Sequence, residues 1–112
     1  MAVGDFTPKK LLQKALTTTA TESQITGAVN TRTTVTSITY ANTNTTTTRS
    51  VTPYIYGTTA TNRLPLASYP ANSGDILTGL DYVLLAGETM SFAQDSGTDV
   101  TVTIMGIEEV VS

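Results

Sequence analysis

The residues able to do chemistry are few and scattered. Four aspartates, Asp75, Asp81, Asp95 and Asp99, stand at or near turn signals, and carboxylates converging from two turns make the oxygen-rich kind of site that binds calcium. Their spacing matches no calcium loop. The segment "DSGTD" is too short and too poor in ligands for an EF-hand, and aspartates are common at turns because they accept local backbone hydrogen bonds. No metal is expected. Glu88 with one of these aspartates would be the acid and nucleophile of a glycosidase, but tryptophan is absent and 112 residues leave little room for a substrate cleft beside a core, so Glu88 in "AGET" reads as a turn residue. Histidine and cysteine are both absent, which removes the commonest general base, the commonest zinc ligand and the thiol nucleophile together. The expectation is a chain with no catalytic residue and no cofactor, and not an enzyme.

Binding residues are easier to nominate. Tyr40, Tyr54, Tyr56, Tyr69 and Tyr82 with Phe92 could form an aromatic platform for a sugar, although tyrosine also suits half-buried sheet positions and subunit interfaces. Tyr54 and Tyr56 are the pair retained as partner-binding candidates. The Lys9, Lys10, Lys14 group could dock an acidic surface, against the plainer reading of a solvated face. With its neighbours it nominates Phe6, Lys9, Lys10 and Leu11 as a contact near the N-terminus. Alternating threonines such as "TRTTVT" suggest an ice-binding array, but no repeat of fixed length supports one.

These groups must be positioned by strands. The chain carries 25 threonines and only 13% charged residues, and a β-branched composition of this kind prefers pleated surfaces to helices. Its length fits one domain with a modest core. A net charge of −3, with the basic residues mostly dispersed, disfavours nucleic-acid binding. No apolar run approaches a membrane span, and the opening "MAVGDFTPKK" lacks the apolar stretch of a signal peptide.

Along the chain, "KKLLQKAL" fits either a helical turn or a first strand. The run "RTTVTSITYA" predicts a strand with Thr34, Thr36, Ile38 and Tyr40 on one face and Val35, Ser37, Thr39 and Ala41 on the other, so that neither face is purely apolar. A turn at "NTNTTTT" leads into "RSVTPYIYG", with Val51, Pro53 and Ile55 alternating against Thr52, Tyr54 and Tyr56, and the two strands read as an antiparallel hairpin. Pro53 cannot donate to a ladder and points to an edge or a bulge. Short strands are expected within Leu64–Tyr69 and from Asp75. The most regular hairpin signal joins Met90 and Phe92 through "DSGTD" to Val100, Val102 and Ile104. Seven or eight short strands separated by turns predict an all-β, antiparallel β-sandwich of jelly-roll type, with residues 1–16 an N-terminal arm and 17–112 a single domain.

The pieces "KKLLQKAL", "TSITYANTNTTTT", "VTPYIYGTTATNRL" and "LLAGETMSFAQDSGTDVTVTIMGIEEV", spread over residues 9–110, resemble a family of small bacteriophage virion proteins. Pro53 and the segment "LPLASYPANSGD" depart from that pattern. The resemblance implies a β-sandwich structural protein of the capsid decoration, or cement, type. Its implied partner is the major capsid protein. A homo-oligomer is also implied, with a trimer the first expectation, and so is a place on the virion surface after synthesis in the host cytoplasm. A tail or neck component is the alternative within that class, and a carbohydrate-binding module the alternative outside it.

Overall fold

The computed structural model describes residues 3–112. It contains nine strands: β1 (Phe6–Ala15), β2 (Gln24–Thr26), β3 (Thr31–Asn42), β4 (Arg49–Ile55), β5 (Ala67–Tyr69), β6 (Gly74–Leu77), β7 (Tyr82–Leu84), β8 (Thr89–Gln94) and β9 (Val100–Val110), with 3-10 turns at Ala20–Glu22 and Ala60–Asn62. They form two packed antiparallel sheets. One has the order β1-β9-β3-β6, with β7 also on β3; the other has the order β2-β8-β4-β5. Because β6 and β7 lie end to end along β3, they act as two halves of one edge, and the connectivity is that of a jelly roll. The all-β sandwich expected from composition is the observed fold. Among the described residues no helix is long and apolar enough to cross a membrane.

The core lies between the sheets. Val35, Ile38 and Tyr40 of β3 and Val100, Val102 and Ile104 of β9 meet Val51 of β4 and Met90 and Phe92 of β8 there. The mixed faces of β3 have a simple cause. Thr33 and Val35 point inward, but a bulge between Val35 and Ser37 switches the inward set to Ile38, Tyr40 and Asn42, since one extra residue reverses every later side chain. A second bulge, between Lys10 and Leu12, kinks β1 at the same level of the sheet. Gly106 of β9 lies between the two bulges, where an added Cβ would come within 2.4 Å of the Thr34 carbonyl oxygen and 2.6 Å of Leu11.

Three expectations are corrected. Neither expected hairpin exists: β3 and β4 lie in different sheets, as do β8 and β9. The turns at Thr43–Thr48 and Asp95–Asp99 are corners that carry the chain across the core. Alternating patterns on either side of a short turn signal two half-buried strands, and those can face each other across a core as well as pair. Pro53 lies in an interior strand rather than on an edge. β5 pairs only with Arg49–Val51 and has ended before Pro53, whose carbonyl accepts from Leu64 N at 2.8 Å. N–H and C=O of one strand residue point the same way, so the missing donor faces the side taken by the Arg63–Leu64 segment and costs the β4–β8 ladder nothing.

Residues 6–15, grouped in the sequence with an arm, are β1 itself, paired along its length with β9.

Candidate functional site

At the corner between the sheets, a polar cluster fixes both crossings. Asp99 accepts from Arg49 Nε at 3.0 Å, Asn44 Nδ2 at 2.6 Å and Gln94 Nε2 at 2.8 Å, while Gln94 Oε1 accepts from Val100 N at 2.9 Å. Asn42 is buried and donates to the carbonyls of Tyr69, at 2.9 Å, and Thr47, at 3.0 Å. The hydrogen bond from Asn44, then those from Gln94 and Arg49, hold the Asp99 carboxyl well below the usual carboxylate range. This aspartate is occupied in holding the corner. Among the described residues no group of three or more His, Cys, Asp or Glu gathers to hold a metal. Glu88 accepts from Leu85 N at 2.8 Å across its turn, as the sequence suggested.

The aromatic residues divide. Tyr40 and Tyr69 stack at 5.1 Å inside the core, and Phe92 meets Tyr40 edge-on at 6.2 Å. Burial, and then the neighbouring Asp75, push the Tyr69 hydroxyl up to about 12; burial raises Tyr40 as well. These rings are core. Tyr54 is half-buried and Tyr56 exposed at the outer end of β4, with Tyr56 Oη donating to the Val83 carbonyl at 2.8 Å. Tyr56 itself has φ 63°, so its ring is set against β7 by the backbone as well as by this bond.

The N-terminal candidates all lie on β1, on the other sheet from Tyr54 and Tyr56. Phe6 is exposed, Lys9 pairs with Glu108 at 3.1 Å, Lys10 donates to Gln13 at 3.3 Å, Leu11 occupies the bulge and packs partly against the core, and Lys14 donates to the Glu22 carbonyl. The Lys9–Glu108 pair borders a cleft of about 220 Å³ between β1 and β2, where the buried Thr33 hydroxyl has no hydrogen-bond partner. A second cleft, about 150 Å³ and apolar, opens under β6 between Leu77, Tyr82, Ile38, Leu64 and Pro65.

Of the exposed apolar end of the sandwich, the sequence pointed only to Phe6. Val3, Phe6, Val29, Leu85 and Val111 are 68%, 65%, 77%, 51% and 42% exposed. Their segments are tied together by Gly4 N to Val110 O at 2.7 Å, Val111 N to Asn30 O at 2.9 Å and Gly27 N to Glu88 O at 2.8 Å. Phe6 was nominated from the sequence, but the others are single apolar residues in loops or near a terminus, so only the fold brings them together with it.

No family model matches the chain, and no curated protein is similar to it. Similar solved structures include a Bacillus endospore appendage protein from a family of disulfide-linked pili, 13% identical, with a TM-score of 0.49 over 100% of this chain and 96% of that one. The virus-like particle of the extra small virus of the prawn Macrobrachium rosenbergii is 9% identical, with a TM-score of 0.41 over 96% and 82%. A family two carbohydrate esterase from Cellvibrio japonicus is 10% identical, with a TM-score of 0.34 over 97% of this chain and 34% of that one.

Proposed function

We propose that this chain is a non-enzymatic structural subunit of a bacteriophage particle that decorates and stabilises the capsid by binding across major capsid protein subunits as a symmetric oligomer. The observation that carries the reading is the apolar end formed by Val3, Phe6, Val29, Leu85 and Val111. Exposed apolar clusters of this kind mark interaction surfaces, and here the cluster belongs to a sandwich whose Asp99 carboxylate and core tyrosines are used for its own structure. The likeness of the sequence pattern to small phage virion proteins supplies the partner. A surface rich in threonine suits such contacts, because each hydroxyl finds a hydrogen bond while its methyl packs. Many copies on a symmetric shell also make strong individual contacts unnecessary.

The test is co-sedimentation with shells assembled from the major capsid protein. Wild-type chain pellets with the shells. Val29→Asp, which alters an exposed loop residue and leaves the core intact, abolishes pelleting with an unchanged thermal melt. Undiminished pelleting of this variant refutes the assignment of the apolar end.

A further inference from the structure

We infer that the two free edges of the β1-β9-β3-β6 sheet are complementary to each other, so that a second copy of this chain adds its β1 to the β6–β7 edge of the first. The reading does not depend on the capsid assignment. It starts from strand direction. β1 is antiparallel to β9, β9 to β3, and β3 to both β6 and β7, so a copy placed beside the first without inversion brings β1 against β6–β7 in antiparallel orientation. The two edges are also matched in length, ten residues of β1 against the span Gly74–Leu84.

Hydrogen-bonding parity agrees. Leu16 N bonds to Val100 O and Asn42 N to Ser73 O. Alternation along the ladders then turns the backbone groups of Gln13 and Ala15 outward on β1, and those of Gly74 and Ile76 outward on β6; in the single copy the outward Ile76 N–H is capped by its neighbour Asp75 Oδ1 at 2.8 Å, a local bond that an added strand replaces. Gln13 lies on one row of the sheet with Thr103, Thr39 and Ile76, so an unstaggered copy puts outward groups opposite outward groups. Pro8 shares a row with Val83. Pro8 has no N–H to give, and the Val83 carbonyl opposite is already satisfied by Tyr56 Oη at 2.8 Å. The one missing donor on this edge meets an acceptor that does not need it.

Charge and apolar surface follow the same register. Lys14, Val102, Tyr40 and Asp75 form one row, so the edges end in a lysine on one side and an aspartate on the other. Leu12, Ile104, Ile38 and Leu77 form another, placing Leu12 of the added copy beside Leu77, which is exposed at the mouth of the apolar cleft. Lys10 of the added copy comes opposite the segment that carries Asp81. A contact between different edges of one molecule is heterologous and therefore closes into a ring or runs on as an open array.

The experiment is sedimentation velocity of the purified full chain over a range of concentrations and salt. Wild type forms species larger than dimers, weakened by salt. Lys14→Asp and Asp75→Lys, both at exposed positions, each weaken association by at least about tenfold through like-charge contact, with unchanged thermal melts. An equimolar mixture of the two variants associates like wild type, because each then offers the edge that the other lacks. A chain that stays monomeric at all concentrations overturns the inference and leaves Pro8 and the lysines as guards against edge pairing. Assembly that stops at dimers, ignores both substitutions or is not restored by mixing overturns it as well.

Discussion

Asp99 shows how one side chain determines the behaviour of a whole corner. Its carboxyl is held low by Asn44 first, then Gln94 and Arg49, so the folded chain binds fewer protons there than the unfolded chain does. The stabilisation is present above the ordinary carboxylate range and is lost as pH falls from there toward the lower value that the folded chain imposes. Asp99→Asn is expected to lower the thermal midpoint at neutral pH by several degrees and to flatten the acid limb of the stability curve, as measured by circular dichroism melts across acid pH. The tyrosines set the opposite limb. With Tyr69 pushed up to about 12 and Tyr40 raised by burial, the unfolded state releases its phenol protons first, and stability falls as pH rises above about 10. Ultraviolet titration should show these two phenols ionising only as the fold opens; ionisation near the usual value in the folded chain would contradict their burial. Phe92→Ala, at a fully buried site, is expected to cost about 3–5 kcal/mol in denaturant unfolding. Phe92 and the alternating valines were legible as core in the sequence. Asn42, Asn44 and Gln94 were not, because a threonine-rich turn gives no sign that its asparagines bond across to another strand.

Strand existence was readable from period-two patterns, whereas pairing was not. Val51 and Pro53 of β4 and Val100, Val102 and Ile104 of β9 are buried as their alternation implied, yet β3 pairs with β9 and β4 with β8, far along the chain, while the next strands in sequence, β4 after β3 and β9 after β8, lie in the other sheet. Local pattern records which face is buried, and contacts between distant segments decide what each edge meets. The bulges add a second obstacle: at Thr36 the inward set changes parity, which made β3 look polar on both faces. Gly106→Val tests that account. The Cβ would strike the Thr34 backbone and Leu11, so a loss of about 1–3 kcal/mol is expected, measured by urea unfolding; a neutral result would mean that the bulges relax freely. The same pairing changes how the N-terminal candidates are to be tested. Deleting residues 1–10 removes the half of β1 opposite Met105–Glu109 and leaves β9 as an open edge, so the truncated chain is expected to lose stability along with any partner contact. Point changes at Phe6 and Lys10, which stay exposed on β1, separate binding from folding.

The whole molecule is a slab of 49 × 25 × 20 Å, long along its strands, with an apolar end and a polar, threonine-rich end. Such a shape can present one end to a surface and its flanks to neighbours, as the proposed repeated subunit would. Fold class was legible from threonine content and turn spacing, because both are properties of the chain as a whole; the apolar end was not, because it is assembled from segments near both termini and from two loops. The central claim, a particle subunit that decorates a capsid, is tested most directly by quantitative mass spectrometry of purified phage particles, measuring the copies of this chain against those of the major shell protein. A ratio on the order of one to one, or one to three, is the predicted result, since a decoration protein fills symmetry-related sites over the shell. A handful of copies per particle, or none, would contradict it.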